Sequence, residues 1–144
     1  MKTLPEKIRE ARNALGLSQT ELGALVGVSL RSIVAYEKGE KYPREKTMFQ
    51  LAKALRVSIK YLKEDECENP TEDIDKDPFI VDASEKFGMS GSKDMERMLA
   101  ENTALFAGGE LSQEEKDIYF NALYKAYTAC REQSKEKFGK KKIK

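Results

Sequence analysis

The 144-residue chain is 35% charged and 40% hydrophobic, has no Trp and no His, and carries a net charge of +1. Without His, and with Cys67 and Cys130 at no metal or redox spacing, the composition argues against a metal site, a cofactor or His-based catalysis, so no enzyme is expected. No run approaches the roughly 18 apolar residues of a membrane span, and the start MKTLPEKIRE lacks the apolar core of a signal peptide, so a cytoplasmic protein without membrane contact is expected.

Charge is unevenly placed along the chain. Residues 1–63 hold 13 Lys and Arg against 6 Asp and Glu, residues 64–134 hold 7 against 18, and the last ten residues hold 6 against 1. A basic front followed by an acidic segment suits a protein whose front alone meets a polyanion.

The first 63 residues read as five short helices. Thr3 with Glu6 can form a capping box, Leu4, Ile8, Ala11 and Leu15 make one buried stripe, and Gly16 ends the helix. Ser18 with Glu21 opens a second helix, with Leu22, Leu25 and Val26 inside and Gly27 as its stop. Two residues later Ser29 caps a third helix that ends at Gly39. Helices joined this tightly cross steeply, as in a helix-turn-helix unit. At about 100° per residue from Ile33, Arg31, Ala35 and Lys38 face outward, Leu30 and Val34 lie on the flank, and Glu37 turns inward. An inward carboxylate needs a cation, and Arg12 on the first helix is a candidate. Pro43 leads into a fourth helix with Met48, Leu51, Ala52 and Leu55 inside, and Ser58 caps a fifth carrying Ile59 and Leu62.

The run SQTELGALVGVSLRSIVAYEKGEKYPREKTMFQLAKALRVSIKYL resembles the lambda-repressor/Cro-type (Xre-like) helix-turn-helix family over roughly residues 5–63. The shared marks are the Gln after the cap, the turn Gly, the inner Ile, the Glu-x-Gly ending and the closing Val-Ser-x-x-x-Leu. The resemblance implies an all-α, five-helix DNA-binding domain and a transcriptional regulator, with double-stranded DNA as partner. It also implies that Gln19 clamps a phosphate, that Ser29, Leu30, Arg31 and Ala35 face bases, and that Lys38, Lys41 and Arg44 meet phosphates. Arg12 and Glu37 match a buried ion pair between the first helix and the reading helix. Two positions depart from the pattern: Gly23 stands where Ala is usual and Arg56 where Gly is usual.

On the third helix Arg31 is the only outward residue able to make a bidentate pair with guanine. Ser29 and Ser32 can bond to bases or phosphates, and Leu30 and Ala35 offer apolar contact to thymine methyls. Leu30 and Val34 could instead pack on a partner subunit.

From Glu64 to Pro78 eight of fifteen residues are acidic, which predicts a linker over about 64–92. Phe79, Ile80, Val81 and Phe87 within it show no clear period. Residues 93–107 suit an amphipathic helix stopped at Gly108-Gly109. Ser112 with Glu115 opens a longer helix to about Lys137, within a C-terminal helical region over 93–138, with a basic tail at 139–144. That longer helix spreads Ile118, Tyr119, Phe120, Ala122, Leu123, Ala126, Tyr127 and Cys130 over an arc of about 200°, wider than one hairpin partner covers. Pairing with a second copy is expected, giving a dimeric repressor whose hairpin serves oligomerisation. The alternatives are a hairpin folded back on its own chain, and an antitoxin-like module whose C-terminal half binds a regulatory partner protein.

Overall fold

A computed structural model describes residues 1–105, 109 and 111–142. Among them every regular element is helical: α1 Leu4–Ala14, α2 Gln19–Val26, α3 Leu30–Lys38, α4 Glu45–Leu55, α5 Ile59–Lys63, a 3-10 turn at Ile74–Lys76, α6 Asp77–Leu105 and α7 Gln113–Lys142. The chain divides into two units, Met1–Asp77 and Pro78–Lys144.

In the first unit α1 packs on α3, α4 and α5, and α2 packs on α3 and α4. Its core is Leu4, Ile8, Leu22, Val26, Ile33, Tyr36, Met48, Phe49, Leu51, Ala52, Leu55, Ile59 and Leu62. Side-chain caps from Ser18, Ser29 and Ser58 start α2, α3 and α5. The expected Thr3–Glu6 box does not form, since the Thr3 side chain makes no cap bond. Pro5, the second helical residue, supplies no N–H there and so removes one of the two donors a cap oxygen can take.

Two leucines expected inside are exposed, Leu15 and Leu25. Leu15 is the C-cap residue of α1, at the very end of the stripe. On α2 the buried residues are Leu22, Gly23 and Val26, so the inner face centres near Val26 and leaves Leu25 about 100° away from it. Gly23 is buried because the next turn lies on it: a Cβ there would stand 2.8 Å from the Val28 carbonyl oxygen.

Burial of Lys7, which is 1% exposed, has no counterpart in the sequence reading. Its Nζ donates to the carbonyls of Tyr61 at 2.7 Å, Glu64 at 2.9 Å and Cys67 at 3.0 Å, and it lies 4.4 Å from the centre of the Tyr61 ring. An ammonium has three donors, and three carbonyls use all of them. The end of α5 and the chain after it are thereby fastened to α1.

This fastening changes the status of the acidic stretch read as a linker. Ser58 N–H donates to the Pro70 carbonyl at 2.8 Å, Ile59 N–H to the Asp77 carboxylate at 3.0 Å, and Cys67 is buried. The first unit therefore closes at Asp77 rather than at residue 63. Composition weighs apolar surface, and this segment is held instead by backbone carbonyls that a buried lysine and a helix start require.

In the second unit α6 bends at Gly88, whose φ of 71° and ψ of −157° are not helical. Phe79, Ile80, Val81 and Phe87, which show no period in the sequence, lie on its first segment. Gly91 follows the bend where a Cβ would stand 2.6 Å from the Ala83 carbonyl oxygen. Across the unit Phe79 meets Tyr124 at 5.3 Å and Phe87 meets Tyr127 at 6.1 Å between ring centres. Asp94 accepts from Tyr127 at 2.9 Å and from Arg131 at 3.3 Å, and Tyr119 donates to Asn102.

A third helical segment, before the bend, thus joins the expected hairpin, and the apolar arc of α7 splits in two. Of the arc, Phe120 is buried and Leu123 and Tyr127 are half-buried, whereas Ile118, Tyr119, Ala122, Ala126 and Cys130 are exposed. Ser112 caps α7, its Oγ accepting from Glu115 N–H at 3.2 Å. The helix continues to Lys142, past the expected end near Lys137. Gly108 of the expected helix stop, and Ile143 and Lys144 of the basic tail, lie outside the described residues.

Candidate nucleic-acid interface

The outer surface of α2–turn–α3 is built from its caps inward. Ser18 Oγ accepts from Glu21 N–H at 3.0 Å, and Glu21 Oε1 accepts from Ser18 N–H at 3.1 Å. The Ser18 backbone N–H, with the Ser18 side chain behind it, favours the charged form and holds the Glu21 carboxyl below its ordinary pKa. Gly27, with φ of 83°, ends α2 in the left-handed region, and two residues on Ser29 starts α3. Ser29 Oγ accepts from Ser32 N–H and donates to Ser32 Oγ, both at 3.1 Å. Its only proton is used there, so the Ser29 hydroxyl can only accept from a further partner, while the Ser32 hydroxyl keeps its own proton to donate.

Along α3, Ile33, Tyr36 and Glu37 are buried. Arg31 and Lys38 are exposed, Leu30 is 48% exposed, and Ser32, Val34 and Ala35 are half-buried. Lys41 and Arg44, on the loop to α4, are exposed as well. Ser29, Leu30, Arg31, Lys38, Lys41 and Arg44 therefore stand free at the surface, with Ser32 and Ala35 partly covered. Tyr42 stands between the two basic loop residues and is 64% exposed. Charge pattern alone does not single it out; an exposed aromatic among cations is the signal that could have.

Behind this surface Arg12 Nε donates to Glu37 Oε2 at 2.8 Å and Arg12 Nη2 to Glu37 Oε1 at 3.0 Å. Arg12 Nη1 donates to the Leu17 carbonyl at 2.9 Å. Gln19, expected at a phosphate, is half-buried, and its Nε2 donates to Glu37 Oε1 at 3.3 Å. One carboxylate inside α3 thus holds groups from α1 and α2. Among the described residues no three or more His, Cys, Asp or Glu are grouped to hold a metal, and no helix is long and apolar enough to cross a membrane.

The family model for the helix-turn-helix matches residues 8–62. An uncharacterized HTH-type transcriptional regulator of Methanothermobacter thermautotrophicus is 46% identical over 55 residues, which cover 38% of this chain and 75% of that protein. The chain belongs to the helix-turn-helix family. Repressor protein C2 of Salmonella phage P22 is 40% identical over 57 residues of this helix-turn-helix protein, 40% of its length and 26% of the repressor's. A crystal structure of the P22 c2 repressor in complex with a synthetic operator, in the presence of Tl+, is 37% identical, with a TM-score of 0.42 over 43% of this chain and 94% of that one. The match spans about half or less of the length of most of the curated relatives. The family-model match, residues 8–62, lies wholly within the first unit of the helix-turn-helix chain.

Proposed function

We propose that α3 enters the major groove of double-stranded DNA and that the protein is a sequence-specific transcriptional regulator, a cytoplasmic repressor working as a homodimer. The observation that carries this reading is the two-sidedness of α3. Its inner residues are locked by packing and by the Arg12–Glu37 pair, while Arg31 stands exposed with no competing partner among the described residues. A major groove admits one helix, and a bidentate Arg–guanine contact is the strongest reader this face offers. Leu30 and Ala35 are assigned to thymine methyls, Ser29 to a donor on a base edge, Ser32 to base or phosphate groups, and Gln19, Lys38, Lys41 and Arg44 to phosphates. The name of the P22 relative, a repressor, supports the regulatory role.

Pairing with a second copy is supported by the exposed half of the α7 arc, where Ile118 is 66% exposed beside Ala122, Ala126 and Cys130. A dimer would read two half-sites about one DNA turn apart. Selection of bound duplexes from random DNA by the full chain tests the reading. Two related half-sites are expected, and Arg31→Ala should relax one position per half-site by about 1–3 kcal/mol. No enrichment by folded protein would overturn DNA recognition. A monomer by light scattering would overturn the pairing, and a stoichiometric co-purifying protein would favour the antitoxin-like role instead.

A further inference from the structure

Glu37 is 6% exposed and sits on the helix proposed to read bases, yet its carboxylate is shared between two other helices. An ionised carboxylate has no proton to give, so every contact it makes must come from a donor. Arg12 supplies two N–H groups and Gln19 the third. Facing an acceptor-only partner, the Gln19 carboxamide must turn its NH2 end, and not its oxygen, toward Glu37, which settles its orientation on chemical grounds. One amide N–H is then used, and one is left to donate.

We infer that Glu37 is a positioning residue for the phosphate contact of Gln19. By holding one amide N–H it keeps the carboxamide from rotating its oxygen toward a phosphate, where two acceptors would oppose each other. The same carboxylate is anchored by Arg12, whose Nη1 donates to the Leu17 carbonyl just before the α2 cap. Seating of α3 and orientation of the α2 phosphate contact therefore share one group. The inference rests on the DNA-reading role proposed above.

A double-mutant cycle on the full chain tests it, with Gln19→Ala, Glu37→Gln and both together, measured on the selected operator. Each single change should weaken binding about fivefold per half-site, the factor for one hydrogen bond. The pair should weaken it no further, because Glu37 acts through Gln19. An operator carrying one neutral methylphosphonate at the Gln19 contact should weaken wild type about as much, and Glu37→Gln hardly at all. Full additivity, with Glu37→Gln costing the same in both backgrounds, would show a merely structural role and overturn the inference while leaving DNA recognition standing. Failure of wild type to select any DNA would instead overturn the reading beneath it. Should Glu37→Gln not fold, side-chain amide NMR of unliganded wild type still decides. A slowly exchanging Gln19 NH2 pair is expected, and one that exchanges as fast as the exposed Gln and Asn amides would overturn the inference.

Discussion

Replacing Lys7 by Met keeps most of the side-chain volume and removes the ammonium that binds the Tyr61, Glu64 and Cys67 carbonyls at 2.7, 2.9 and 3.0 Å. Three hydrogen bonds from a charged donor contribute about 1.5–3 kcal/mol each. Against this stands the penalty for burying an ion, several kcal/mol, which the variant no longer bears. A cleft of about 390 Å³ lined by Met1, Lys2, Lys7, Tyr61, Cys67 and Glu68 adjoins the site, so water can reach part of what is freed. The net loss should be about 2–4 kcal/mol. Urea unfolding followed by circular dichroism measures it, with amide exchange reporting the site. The Cys67 amide, bonded to the Glu64 carbonyl at 3.0 Å, should lose protection more than the amides of α2. Base preference should not change, since none of the bonds of Lys7 reaches α3. A loss under about 0.5 kcal/mol, the range of ordinary surface substitutions, would refute the reasoning that Lys7 fastens the acidic stretch to α1.

The two cysteines should behave differently toward a thiol reagent. Cys67 is buried and Cys130 exposed, and burial, with the hydrogen bond to Glu72 behind it, pushes the Cys67 thiol up to about 11. Cys67 is expected to react slowly in folded protein at pH 8 and both thiols quickly in urea; a Cys67 that reacts as fast folded as in urea would contradict this. Because the folded value lies above the ordinary 9.0, the contribution of this thiol is fully present below pH 9 and is lost as pH rises toward 11. Cys67→Ala should flatten that part of a stability profile. Arg56 ends α4 with φ of 60° and ψ of 38°, a conformation that costs a side chain about 1–2 kcal/mol. Arg56→Gly should therefore raise stability by about 0.5–1 kcal/mol in thermal unfolding, since Gly gives back part of the gain as chain entropy. Gly91→Ala would place its Cβ 2.6 Å from the Ala83 carbonyl oxygen and 2.7 Å from the Phe87 Cβ. Neither can swing aside, so exchange protection across the bend in α6 should fall by about 1–3 kcal/mol.

Local rules made the helix-turn-helix legible from the sequence alone. Ser18, Ser29 and Ser58 each accept a backbone N–H within the next three residues, and Gly27 and Gly39 adopt left-handed φ where chirality leaves room for little else. The inward placement of Glu37 followed from helical period alone, and so did the need for a cation against it. Contacts between distant residues carry no such signature. Nothing near Lys7 announces that carbonyls 54 to 60 residues later will take its charge, because backbone carbonyls are the same at every position. For that reason the acidic stretch read as a linker, whereas tertiary hydrogen bonds hold it to Asp77. The apolar arc on α7 was visible as a periodicity, but periodicity does not say who covers it. Phe87, just before the bend at Gly88, packs on Tyr127 of that arc from the same chain. The caps, the periods and the outward face of α3 follow from neighbours within a turn or two of helix. Which polar and apolar surfaces meet follows instead from packing, which brings together groups far apart in sequence.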